Sequence, residues 1–182
     1  LKEDSVHSLT REDAIKQIVN CAKEEDLVVS TTGKSSRELY EYRINKNKSC
    51  ADFLTVGGMG HALAIATGIK IKKIHQRIIC IDGDGANIMH MGSIIAAANS
   101  PGNLIHILIN NYSHESVGGQ ATMSKFINYE LLSKSVGYSR YFLCENSEDI
   151  KEAFNNVDTN SFIEIRTNKY SRDDLGRPKE SP

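Results

Sequence analysis

The chain has 182 residues, 40% of them apolar and 25% charged, enough to bury the core of one globular domain. Its 22 Lys and Arg stand against 23 Asp and Glu, and a formal charge of -1 excludes the basic footprint of a nucleic-acid or anionic-membrane binder. Cys21, Cys50, Cys80 and Cys144 form no C-x-x-C pair, and no leader or 18-residue apolar run is present, so we expect neither disulfides, structural zinc nor a membrane span, and a cytoplasmic location.

Residues 1–8 are polar, after which Thr10 and Asp13 have capping-box spacing and Ile15, Ile18, Val19 and Ala22 share one helical face. Apolar runs rich in β-branched residues recur at 27–29, 78–81, 104–109, 141–143 and 162–165. They mostly do not alternate, which suits strands buried on both faces of a parallel sheet. Helical patterns lie between them at 36–43, 59–71, 86–99 (with Ile88, Met91, Ile95 and Ala98 as its apolar stripe), 125–135 and 147–157. Alternating strand and helix predicts a single α/β domain over 1–182, doubly wound, with a mainly parallel sheet, helices on both faces and ligands at the carboxyl ends of the strands. Only 171–182 reads as an irregular tail.

The most informative residues are Gly83-Asp84-Gly85, directly after the strand around 78–82, and Asn110-Asn111, directly after the next strand. Asp84 and Asn111 stand 27 positions apart, room for one helix, a turn at Ser100-Pro101-Gly102-Asn103 and a returning strand. A right-handed crossover brings both side chains to the same end of neighbouring strands. Glycines at 83 and 85 permit close backbone approach, helix-start amides favour phosphate, and Asp84 with the Asn111 amide oxygen offers hard oxygen ligands. Mg²⁺ chelated by a diphosphate suits that set, because Mg²⁺ takes only one or two carboxylates beside phosphate oxygens. The G-x-G-x-x-G of a dinucleotide binder is missing after the first strand.

The pair of motifs is similar to the cofactor fingerprint of the thiamine diphosphate-dependent 2-oxo acid decarboxylases. The segments STTGKSSREL (30–39), FLTVGGMGHA (53–62), IDGDGANIMHMG (81–92), NNYSHESVGGQ (110–120) and SRDDLGRP (171–178) resemble the phosphonopyruvate decarboxylases within that family, with the sulfopyruvate decarboxylases as the nearest alternative. The resemblance implies the pyrophosphate-binding domain, with thiamine diphosphate and Mg²⁺ as cofactors. It implies that Asp84, Asn111 and the carbonyl of Ser113 hold Mg²⁺, that Gly83 belongs to the cofactor turn, and that Gly85, Ala86 and Thr32 meet the diphosphate. Met59 becomes the apolar wedge that bends the cofactor, and Gly57 and Met59 contact its pyrimidine through their backbones. The substrate is a small 2-oxo acid, 3-phosphonopyruvate first.

In this family an activating glutamate comes from a separate pyrimidine-binding domain, which nothing in this chain matches. Leu1, which is not Met, then reads as the start of the carboxyl-terminal half of a longer enzyme, or the chain is one subunit of two. A homo-oligomer is expected, and a cofactor-binding module without turnover of its own stays open. Lys34 and Arg37 are candidates for the phosphonate, with exposed helix-start charges as the bland alternative. His114 is a candidate for proton transfer and Gln120, after Gly118-Gly119, for reaching substrate from a closing loop; a solvated histidine and a plain turn are the alternatives. Arg172 and Arg177 read either as an anion-binding lid or as solvated tail. His106, His90, Met89 and Met91 are assigned to packing, and His61 is left open.

Overall fold

The computed structural model describes residues 7–46 and 52–176; Cys50 and Arg177 lie outside them. In chain order the elements are α1 (Arg11–Cys21), β1 (Leu27–Ser30), α2 (Lys34–Asn45), β2 (Phe53–Leu54), α3 (Ala62–Lys72), β3 (Arg77–Gly83), α4 (Asp84–Met89) and α5 (Ser93–Asn99). They continue as β4 (Asn103–Asn110), the short strands β5 (Ser113–His114) and β6 (Gln120–Ala121), α6 (Tyr129–Val136), β7 (Arg140–Cys144), α7 (Ser147–Asn156) and β8 (Asn160–Arg166).

Six strands pair in the order β2-β1-β3-β4-β8-β7, every pairing parallel, while β5 and β6 form a separate antiparallel hairpin. Successive strand residues point to opposite faces. Ile79, Ile81, Ile105, Ile107, Ile163 and Ile165 therefore pack with α1, α2 and α7 on one side, whereas Ile78, Cys80, Leu104, Leu108 and Phe162 pack with α3, α5 and α6 on the other. Burial on both faces is why the strand sequences run apolar without alternation. At the start of α1 the Thr10 hydroxyl accepts the Asp13 amide at 3.0 Å and donates to the Asp13 carboxylate at 2.7 Å, the expected cap.

Three helix expectations need correction. The single helix over 86–99 is two, because the His90 amide reaches only to the Asn87 carbonyl, at 3.3 Å, a tightened last turn, and Gly92 opens the next helix. The break changes the phase: Ile94, Ala97 and Ala98 are buried, whereas Ile95 is 58% exposed and Met89 56%, so neither fills the core. His90 is likewise exposed at the break, its ring 4.3 Å from that of His61, and does not satisfy packing inside a helix. The helix expected from 59 starts at Ala62, since Gly60 has φ +85°, outside the helical region. The helix expected over 125–135 is a 3₁₀ turn at Met123–Phe126, followed by α6, which the Asn128 side chain caps by accepting the Leu131 amide at 3.0 Å.

The tail also differs from a lid. Arg172 gives Nε to Glu12 at 3.1 Å, Nη1 to Asp174 at 3.1 Å and Nη2 to Glu41, so three carboxylates occupy its guanidinium and strap the tail to α1 and α2. Cys21, Cys80 and Cys144 are free thiols, and none of the described helices is long and apolar enough to cross a membrane. The helix break carries a direct prediction. Ile94→Ala is expected to cost about 2–5 kcal/mol in urea unfolding, the usual cost of emptying a core site, while Ile95→Ala stays within about 0.5 kcal/mol.

Candidate active site

Strands β1 and β3 are neighbours, yet the chain leaves β1 into α2 on one face of the sheet and leaves β3 through α4 into α5 on the other. Diverging connections open a crevice at the carboxyl ends of such a pair, the usual ligand position in doubly wound sheets. A cleft of about 220 Å³ lies there, walled by 31–35 after β1, 83–86 after β3 and 111–117 after β4. The β3–β4 register runs from Arg77↔Asn103 to Gly83↔Ile109 and β4 continues one residue further, to Asn110, so Asp84 and Asn111, each directly after its strand, meet in one cleft, as the spacing predicts.

Two glycines shape the walls. A Cβ on Gly85 would stand 2.5 Å from the His114 ring, and one on Gly33, where φ is +97°, would stand 2.7 Å from Ser116 Oγ. The positive φ restricts position 33 to glycine, while a side chain at 85 would displace the imidazole of His114, which lies directly over the turn after β3.

Asp84 is 3% exposed, and its Oδ2 accepts a 2.5 Å hydrogen bond from Thr122 Oγ1. Burial pushes its carboxyl up to about 6, against the opposing pull of the Thr122 hydroxyl, the Gly85 amide and His114. Asn111 is 5% exposed; its Nδ2 donates to Glu115 Oε2 at 2.9 Å and its Oδ1 accepts the Ser113 amide at 3.0 Å. Between them Tyr112 takes φ +59°, the left-handed region that non-glycine residues rarely enter, which folds the chain back so that Ser113 and His114 line the cleft.

Among the described residues no group of three or more His, Cys, Asp or Glu is arranged to hold a metal. A cation in this cleft would instead share one carboxylate and neutral oxygens with the oxygens of its ligand, the pattern of Mg²⁺ with a diphosphate. Thr31 Oγ1, buried in the cleft wall, has no hydrogen-bond partner among the described residues, a polar atom left for a ligand. The donor set and the glycine-lined approach both fit that group.

Of the residues singled out in the sequence, Thr32, Lys34, Met59, Gly83, Asp84, Gly85, Ala86, Asn111, Ser113 and His114 line this one cleft. Gly57, Arg37 and Gln120 do not: Gly57 lies in the turn before Met59, Arg37 is half-buried on α2, and Gln120 is exposed on β6. Lys34 donates through Nζ to Ser171 Oγ of the tail.

Sequence reasoning missed Arg11, Thr31, Glu115 and Thr122. Arg11 had a usable signal: it sits three and four residues before Ala14 and Ile15, on the apolar stripe of α1, and a charge on a buried stripe demands a partner. It is 4% exposed, donates Nε and Nη2 to Glu38 at 2.8 and 2.7 Å and Nη1 to Glu115, and these carboxylates hold its guanidinium above its ordinary pKa despite burial. Glu115 and Thr122 are tied to the site by Arg11 and Asp84, 104 and 38 positions away, pairings that no local pattern carries.

Residues 31–165 match the family of the thiamine pyrophosphate enzymes' C-terminal TPP-binding domain, and the chain belongs to that family. Thiamine diphosphate is accordingly its cofactor. Among individual relatives, it is 33% identical over 177 residues to the phosphonopyruvate decarboxylase of Streptomyces viridochromogenes, covering 95% of this chain and 43% of that protein. It is 36% identical over 132 residues to the sulfopyruvate decarboxylase subunit beta of Methanothermobacter thermautotrophicus, covering 72% of this chain and 68% of that subunit. The fold matches the thiamine diphosphate-dependent 4-hydroxybenzoylformate decarboxylase of Rhodococcus jostii RHA1 with a TM-score of 0.71 at 19% identity, over 91% of this chain and 34% of that one. The chain thus spans less than half the length of the Streptomyces relative.

Asp84 makes the cofactor-free protein sensitive to pH in a defined direction. Its folded pKa of about 6 lies above the unfolded carboxylate value, so its contribution is fully present below about pH 4 and is lost as pH rises through 6. Asp84→Asn, which keeps an acceptor for Thr122, is expected to remove that loss. Without cofactor it should be more stable than the wild type above pH 6, by up to about 3 kcal/mol, in urea unfolding run at pH 4, 6 and 8.

Proposed function

We propose that this chain supplies the diphosphate- and Mg²⁺-binding half of the active site of a 2-oxo acid decarboxylase, with 3-phosphonopyruvate as substrate and phosphonoacetaldehyde and CO₂ as products. The observation that carries the reading is the meeting of Asp84 and Asn111 at the neighbouring ends of β3 and β4, in the cleft that Gly85 opens. When bound, thiamine diphosphate supplies the carbon nucleophile and the electron sink for loss of CO₂.

The chain's own residues bind and orient. Asp84, Asn111 and the Ser113 carbonyl hold the cation, while the amides of Gly85 and Ala86, with Thr32, receive the diphosphate. The hydroxyl of Thr31 adds a donor from the same wall. Met59 presents an apolar side chain to the cleft, where it would pack against the cofactor, and Gly57, in the preceding turn, would offer its backbone to the pyrimidine. His114, over Gly85, is placed to hold or deliver a proton at the cleft mouth. Lys34 gives the neutral protein a local cation for the phosphonate. Arg37 and Gln120 stand outside the walls, so they reach substrate only if the site is completed by further chain.

Completion is expected because neither carboxylate lining the cleft is left to serve the pyrimidine: Asp84 is a cation ligand and Glu115 is bound to Arg11 and Asn111. A pyrimidine-binding domain or a partner subunit supplies that group, in a homo-oligomer or a two-chain enzyme. The free thiols Cys21, Cys80 and Cys144 suit the reducing cytoplasm. Sulfopyruvate decarboxylation is the second reading, supported by the 36% identity to a subunit beta of which this chain covers 68%.

Three measurements test the assignment. In the complete enzyme, Asp84→Ala should abolish Mg²⁺-dependent thiamine diphosphate binding in calorimetry, and unchanged affinity would refute the cofactor reading. Release of CO₂ should be faster from 3-phosphonopyruvate than from 3-sulfopyruvate; the reverse order assigns the second function. Substantial turnover by this chain alone would show that the site needs no second half.

A further inference from the structure

We infer that Glu115 is a positioning residue for Asn111, held in place by Arg11 and Glu38 so that the Asn111 amide faces the cleft oxygen-first. The inference rests on reading Asn111 as a cation ligand. An asparagine amide presents an oxygen on one side and an NH₂ on the other, and only the first can coordinate a cation. A carboxylate only accepts hydrogen bonds, so the 2.9 Å contact between Asn111 and Glu115 commits Nδ2 to Glu115 and turns Oδ1 away from it. There Oδ1 takes the Ser113 amide at 3.0 Å and keeps a second lone pair.

Glu115 is itself prevented from turning. Its Oε2 also accepts from Arg11 Nη1, and Arg11 is fixed by a two-pronged pairing with Glu38 through Nε and Nη2. The side chains of Arg11, Glu38 and Glu115 are 5%, 1% and 9% exposed. Burying one cation with two anions is a poor way to gain stability, since apolar residues of similar volume often do better. The arrangement makes sense at a site that a divalent cation joins: it orients a neutral ligand and leaves one uncompensated negative charge behind it. Arg11 lies on α1, outside the residues 31–165 that carry the family match, so the support is added from a neighbouring helix. Outer partners that orient ligating groups are typically worth 10–100-fold in metal affinity.

The test uses the complete enzyme and titrates thiamine diphosphate binding with Mg²⁺, and separately with Ca²⁺, as the supporting cation. Glu115→Ala is expected to weaken the Mg²⁺-supported binding by about 10–100-fold. Glu115→Gln, whose carbonyl can still accept from Asn111, is expected to lose less. Mg²⁺ requires near-octahedral geometry and Ca²⁺ does not, so a misoriented amide should shift the Mg²⁺/Ca²⁺ affinity ratio toward Ca²⁺, by about threefold or more. A purely structural role would weaken both cations alike and follow the loss in thermal midpoint; that outcome overturns the inference. So does Mg²⁺ affinity within about twofold of wild type in Glu115→Ala while Asp84→Ala abolishes binding. Unchanged binding in Asp84→Ala removes the cation reading itself, and the inference with it. Should Glu115→Ala not fold, Glu115→Met, which keeps the volume and cannot accept from Asn111, takes its place, and an unchanged cation ratio in that variant overturns the inference.

Discussion

The parallel pairing of β3 with β4 is the constraint on which the cleft depends. Seven residues of each strand are in register and β4 runs only one residue further, so the two loops that follow emerge side by side. The pairing is held by isoleucines and leucines buried on both faces, so neither strand can slip without moving its whole set of side chains to the opposite core. A one-residue slip would change how Asp84 and Asn111 stand to each other and swap which face each strand's side chains serve. Core packing and ligand geometry are thus the same requirement at this point in the chain.

The cleft itself reverses the usual economy of the interior. Asp84 is buried enough to raise its pKa, Thr31 carries an unpartnered hydroxyl, Tyr112 occupies a left-handed conformation, and two anions are buried with a single cation. Each feature costs stability, and all gather at one end of one pair of strands. The two hydrophobic clusters are built of apolar strand and helix side chains, with Lys70, Asp82, His106 and Glu164 buried beside them. Concentrated expense of this kind is what a binding site looks like when its ligand is the missing partner.

The sheet, the placement of the cleft and most of its walls were legible in the sequence because they depend on local signals. Unbroken β-branched runs specify strands buried on both faces, and Gly83-Asp84-Gly85 and Asn110-Asn111 mark where two of them stop. What stayed hidden depends on contacts between distant segments. The break at 90–92 follows from Gly92 and from the packing of His90 on the turn at Gly60 and His61, so a continuous apolar pattern misled the reading of Ile95 and Met89. The β5–β6 hairpin, which delivers Thr122 to Asp84, contains too few residues to show a period. Arg172 carried a charge that suggested an anion, yet carboxylates on α1 and α2 were already waiting for it.

The strap made by the tail has a bearing on modularity. The Asn168 amide donates to the Leu9 carbonyl at 2.9 Å, and Arg172 and the Gly176 amide continue along α1 and α2 to Glu12 and Glu41. The path into the fold and the path out of it therefore run side by side over α1 and α2. Polypeptide joined before residue 9 or after residue 176 need not thread the fold or part its strands. Such an arrangement leaves room for further polypeptide at either side without a change to the core or the cleft.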